Sequence, residues 1–164
     1  MDSCFRGNDC RLSKFIHLHN RSHYSLLDAI CTIEGLVNAA KEHNMPAIAL
    51  TDHGVMYGSM EFYNKAKKAG VKPIIGCEVY IVTKGSRFEK GKSDDSSDTV
   101  LGRDKSGKAI GKLSGRKSNY DHMVLLAKDL EGYQNLVKLC SIGHTEGFYY
   151  KPRIDTEILR SYSK

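Results

Sequence analysis

The chain has 164 residues, of which 40% are hydrophobic, and 25 Lys and Arg against 19 Asp and Glu give it a net charge of +6. That length suffices for one domain with its own core, and the charge would suit a polyanionic partner if a folded face carried it. No 18-residue apolar run and no basic, apolar, small-residue leader pattern occurs, so a soluble, cytoplasmic protein with no membrane segment is expected.

Residues 1–14 are polar and patternless, and a disordered leader is expected there. Residues 15–18 open an alternation, Phe15-Ile16-His17-Leu18-His19, that fits a strand with one wet or liganded face. Thr32 is placed as an N-cap before a helical stripe of Ile33, Leu36, Val37 and Ala40, which runs to about His43 and is stopped by Asn44 and Pro46. Residues 47–50 form a continuous apolar run suited to a buried parallel strand. A second helix fits 57–69 and ends at Gly70. Strands are expected at 73–75 and 79–82, then at 123–127, with helices at 132–141 and 155–162. The order βαβαβ predicts an α/β protein with parallel strands and its chemistry at their carboxyl ends.

One segment interrupts this pattern. Residues 84–118 hold ten Lys/Arg against five Asp/Glu, six glycines, seven serines and few large apolar residues. They carry five of the six net positive charges. A mobile basic insertion is expected, either a solvated loop or an arm that touches nucleic acid phosphates without sequence preference. The five cysteines, Cys4, Cys10, Cys31, Cys77 and Cys140, are odd in number and contain no C-x-x-C pair, which argues for reduced thiols and against a zinc knuckle.

Imidazoles and carboxylates gather at the ends of the apolar runs, as a metal site on an α/β scaffold requires. His17, His19, Arg21 and His23 share one strand parity; Asp52 and His53 follow the second strand, Glu78 the third, and His122 opens the fourth. Asp28 lies in the loop after the first strand and either reaches the same cluster or starts a turn.

Four stretches carry a resemblance: His17-Leu18-His19-Asn20-Arg21-Ser22-His23-Tyr24-Ser25-Leu26-Leu27-Asp28, Pro46-Ala47-Ile48-Ala49-Leu50-Thr51-Asp52-His53-Gly54, Lys72-Pro73-Ile74-Ile75-Gly76-Cys77-Glu78-Val79-Tyr80 and Glu146-Gly147-Phe148-Tyr149-Tyr150-Lys151-Pro152-Arg153-Ile154-Asp155. Together they closely resemble the polymerase-and-histidinol-phosphatase (PHP) domain that opens the alpha subunit of bacterial DNA polymerase III, over roughly 15–159 apart from the insertion. The resemblance implies a partial PHP domain over 15–164, an incomplete, distorted (β/α)7 barrel built of parallel strands. It implies a centre for divalent zinc or manganese with His19, Asp28, His53, Glu78 and His122 in ligand positions, and His17 and Asp52 as neighbours that orient them. It implies phosphoesterase or 3′-5′ exonuclease chemistry, and DNA and other polymerase subunits as partners of a longer chain engaged in replication.

Two departures limit the carry-over. The family has a ligand histidine where this chain has Arg21, and a guanidinium offers a metal no lone pair. His23 could compensate only if the loop shifted by one pleat; otherwise Arg21 binds phosphate or pairs with a carboxylate of a degenerate site. The family's later strands and ligands, and the carboxylates of nucleotide addition, are not among the 164 residues, so no polymerase activity is expected of them. A stand-alone phosphoesterase and a non-catalytic interaction module are the alternatives.

Overall fold

The computed structural model describes residues 15–90, 99–103, 109–113 and 120–163; the expected leader at 1–14 lies outside them. In chain order the elements are α1 (Ile33–Glu42), β1 (Ala47–Leu50), α2 (Ser59–Ala69), β2 (Lys72–Val82), β3 (Thr99–Arg103), β4 (Ala109–Leu113), β5 (Asp121–Leu126), α3 (Leu130–Thr145), β6 (Phe148–Tyr149), β7 (Lys151–Asp155) and α4 (Thr156–Ser161). Among the described residues no helix is long and apolar enough to cross a membrane.

The first half follows its local signals. Thr32 Oγ1 accepts the Gly35 N–H at 3.0 Å, satisfying one of the free donors of the first turn of α1. At the end of α2, Gly70 takes the left-handed conformation (φ 79°), which a side chain would resist. Ile33, Val37 and Ala40 of α1 close with Phe62 and Ala66 of α2 over Ile48 and Leu50 of β1 and over Val71. Phe62 is fully buried, a contribution of about 1.5–3 kcal/mol from its apolar surface.

Strand β2 is one element where the sequence suggests two, at 73–75 and 79–82. Gly76 does not break it. A Cβ there would lie 2.6 Å from the Leu125 carbonyl oxygen and 2.8 Å from Thr51 Cγ2, so the glycine marks a close approach of β5 and of the Thr51 side chain to β2. The first half of β2 pairs parallel with β1, from Ala47 opposite Lys72 to Leu50 opposite Ile75, and a parallel bridge between His53 and Glu78 prolongs the pairing. The second half pairs with β5 and, at its end, parallel with β7, which pairs with β6.

Two strand expectations are corrected. The strand read at 123–127 is β5, and it runs antiparallel to β2, from Gly76 opposite Leu126 to Ile81 opposite Asp121. Parallel neighbours need a crossover, usually a helix, and the described residues between β2 and β5 contain none. The result is a mixed five-stranded sheet, β1-β2-β7-β6 with β5 beside β2, rather than an all-parallel one. Residues 15–18 lie beside β1 without forming a regular strand. His17 O accepts from Ala49 N and Asn20 O from Thr51 N, an advance of three residues against two, and the Asn20 amide fills the mismatch by donating to His17 O and Ala49 O.

A second core lies under α3, where Cys77, Val79 and Ile81 of β2 meet Leu136, Leu139 and Ile154. Because strand side chains alternate, this leaves Glu78 and Tyr80 on the opposite face of β2. That alternation positions the site.

The stretch 84–118 holds more regular structure than its composition suggests. β3 and β4 pair as an antiparallel ribbon, while 91–98, 104–108 and 114–118 lie outside the described residues. At the root of the stretch Arg87 is buried, with Nη1 3.0 Å from Asp155 Oδ2 and Nη2 2.8 Å from Glu146 Oε2. Asp155 also accepts the Ile158 N–H and so caps α4. Arg153, wholly buried, donates to the carbonyls of Gly147, Arg87 and Glu89 at 3.1, 2.9 and 3.0 Å. These contacts clip residues 87–89 onto β7.

Candidate metal centre

The site begins with a buried carboxylate held by two serines. Asp52, just past β1, accepts from Ser22 N at 2.6 Å, from Ser22 Oγ at 2.8 Å and from Ser25 Oγ at 2.8 Å, while Ser25 Oγ in turn accepts the His53 N–H at 3.0 Å. The loop after residue 20 is thereby stitched to the carboxyl end of β1. Its flanking residues, Arg21 and Asp28, are delivered over β2.

Glu78 is the centre of the cluster, with its side chain only 3% exposed. Its Oε2 accepts from His19 Nε2 at 2.7 Å and from Arg21 Nη2 and Nε at 2.6 and 2.8 Å, and its Oε1 lies 3.2 Å from His122 Nδ1. Burial works to raise the Glu78 carboxyl, but the His19 and Arg21 hydrogen bonds outweigh it and hold it below the usual carboxylate range. The carboxylate is ionised at neutral pH.

His53 lies flat on Tyr80, with ring centroids 4.2 Å apart, and edge-on to His122 at 4.6 Å. Its Nδ1 is 2.7 Å from Asp28 Oδ2. The hydrogen bond to His53 pulls the Asp28 carboxyl below its ordinary range, so Asp28 is the acceptor and His53 carries its proton on Nδ1. Burial pushes the imidazole pKa down despite that bond, which keeps His53 neutral at pH 7 with a lone pair on Nε2. Among the described residues, His53 Nε2 is a buried polar atom without a hydrogen-bond partner. One donor atom each from His53, Glu78 and His122 lies within 4.8 Å of the others. Two ligands of a tetrahedral zinc ion lie about 3.3 Å apart, so this triad would have to draw in to hold a single ion.

The rest of the arrangement does not fit the metal centre that the resemblance implies. Glu78 Oε2 is taken by a guanidinium, and the same guanidinium places Nη1 3.6 Å from Asp28 Oδ2. A permanent positive charge bonded to one carboxylate of the set and close to the other repels a divalent ion and competes with it for Glu78.

The structure brings together His19, Asp28, His53, Glu78 and His122, together with Arg21. It does not bring His17 or His23 to them. His17 is exposed and edge-on to Phe15 at 4.7 Å, and its backbone rather than its ring is what meets β1. His23, considered as a compensating ligand, is exposed and lies against Tyr24 at 4.4 Å. The shared parity of 17, 19, 21 and 23 fails because the chain leaves the extended conformation and turns at 23–28. Tyr80, Ser22 and Ser25 were missed as site residues. The first had a signal, since it shares strand parity with Glu78; the serines had none. His144, on α3, also reaches the site loop through Nε2 and the Gly54 carbonyl, 3.0 Å apart.

The PHP domain family model matches residues 17–164. The chain belongs to the PHP domain family. This PHP domain is 49% identical over 152 residues to the DNA polymerase III subunit alpha of Borreliella burgdorferi, a match covering 93% of the chain and 11% of that protein. It is 46% identical over 151 residues to the protein of the same name from Chlamydia muridarum, covering 92% and 10%, and 45% identical over 153 residues to that of Thermus aquaticus, covering 92% and 11%. The PHP domain therefore spans about a tenth of the length of these curated relatives.

Proposed function

We propose that the chain is the amino-terminal PHP portion of a DNA polymerase III alpha subunit, a part of the family's distorted (β/α)7 barrel, and that it serves DNA replication in a bacterial cytoplasm. The similarity along nearly the whole chain supports this reading. The partners of the longer protein are then DNA and the other polymerase subunits. The 164 residues carry no polymerisation chemistry, and their role is structural. The observation that carries this last step is the Arg21–Glu78 ion pair, which occupies the carboxylate that a zinc- or manganese-dependent phosphoesterase or 3′-5′ exonuclease would use. Any DNA binding is non-specific and salt-sensitive, because the excess charge lies in 84–118 and not on a groove-reading helix.

A second reading, a metal-dependent phosphoesterase, is favoured by the unpartnered His53 Nε2 beside Glu78 and His122. Hydrolysis separates the two. With Mn²⁺ or Zn²⁺ added, the chain is expected to release no p-nitrophenol from bis(p-nitrophenyl) phosphate and no nucleotide from 3′-labelled single-stranded DNA above the protein-free control. Release that disappears in Glu78→Gln would establish the phosphoesterase and overturn the structural role.

A further inference from the structure

Glu78 is buried, and a buried carboxylate is tolerated only beside a compensating charge. Three cationic or potentially cationic groups touch it: His19, His122 and Arg21. The two imidazoles are about half exposed and carry charge only when protonated, whereas the guanidinium is always charged. Arg21 also engages the cluster with all three of its nitrogens, Nε and Nη2 on Glu78 and Nη1 toward Asp28. Asp28 in turn holds His53. The guanidinium thus joins a residue of β2, a residue of the 23–28 turn and, through it, His53 in the segment after β1.

We propose that Arg21 is the resident cation of this cluster, a built-in group that neutralises Glu78 and Asp28 and draws the loop, β1 and β2 together, so that the domain is assembled without a metal ion. The inference rests on the reading of the chain as a PHP domain whose metal chemistry is lost, and it adds what replaces the ion. A fork-shaped cation that can meet two acceptors at once suits the task, and lysine, a compact point charge, does not.

The test is thermal unfolding of the full chain, unmodified and as Arg21→Gln, Arg21→Lys and Arg21→His, each in EDTA and each in Zn²⁺ or Mn²⁺. The unmodified chain is expected to melt at the same temperature in all conditions. Arg21→Gln is expected to melt about 10 °C lower in EDTA, as loss of the partner of a buried charge in a domain of this size implies. Arg21→Lys should recover less than half of that shift. Arg21→His should fall like Arg21→Gln in EDTA and recover when metal is added, because a neutral donor then replaces the repelling cation. An Arg21→Gln that melts with the unmodified chain in EDTA overturns the proposal, as does an unmodified chain destabilised by chelation. If the variants do not fold, amide exchange over residues 19–28 of the unmodified chain decides: protection unchanged by EDTA supports the resident cation, and protection lost overturns it. Hydrolysis is not read here, so phosphodiester cleavage by a chain whose melting ignores EDTA refutes the functional reading and leaves this inference standing.

Discussion

Arg153→Met is expected to lower the free energy of unfolding by about 2–4 kcal/mol, the cost of leaving carbonyl acceptors unsatisfied. Methionine fills most of the volume, so a cavity is not the cause. The cause is the carbonyls of Arg87 and Glu89, left without the guanidinium that now reaches them, while the Gly147 carbonyl loses one of two donors and keeps the residue 153 backbone N–H. Each unsatisfied buried acceptor costs about 1–3 kcal/mol. Burial also presses the Arg153 pKa downward, a sign that the charge is held at a cost which these carbonyls offset. Urea unfolding monitored by circular dichroism measures the loss, and Arg153→Lys should restore less than half of it, because three acceptors spread around a planar fork cannot all be met by one ammonium. A loss below about 1 kcal/mol would mean that residues 87–89 are not clipped to β7 through this side chain.

Asp52→Ala is expected to cost about 2–4 kcal/mol and to free the loop that carries Arg21 and Asp28. It strands the Ser22 N–H and the two serine hydroxyls in a buried position. The bond that remains, from the His53 N–H to Ser25 Oγ, compensates none of these stranded donors, so the loop should open rather than tolerate them. Amide exchange over residues 21–28 should then rise well above the change seen in β1 and α2. Asp52→Asn retains one acceptor oxygen and should show roughly half the effect. Protection of 21–28 unchanged in Asp52→Ala would show that the Arg21–Glu78 pair, not Asp52, seats the loop.

Helices α1 and α2 and strand β1 were legible in the sequence because their signals are local: a Thr32 cap, an apolar stripe, a Gly70 stop. The direction of β5 was not, since it depends on the connection across 84–118 and not on residues 121–126 themselves. The β3–β4 ribbon had a weak signal. Thr99-Val100-Leu101 and Ala109-Ile110 are short runs of β-prone and apolar residues, but the surrounding charge and glycine hid them. For the site, residue chemistry pointed to imidazoles and carboxylates at strand ends, the family resemblance narrowed them to His19, Asp28, His53, Glu78 and His122, and Arg21 was marked as unable to bind metal. What sequence could not supply was where the guanidinium goes. That is decided by the turn at 23–28 and its anchor on Asp52, and by a β2 that continues through Gly76 to put Glu78 in mid-strand. The shared parity of 17, 19, 21 and 23 failed for the same reason, since parity holds only while a chain stays extended.

The account stands on the claim that Arg21 occupies the carboxylates a metal ion would need, and calorimetric titration of the unmodified chain with Zn²⁺ and with Mn²⁺ tests it most directly. The expected result is no saturable heat at affinities tighter than about 1 mM for either ion, with Arg21→His gaining at least about tenfold in affinity. Binding of two or more ions by the unmodified chain at about 1 μM or tighter would contradict it.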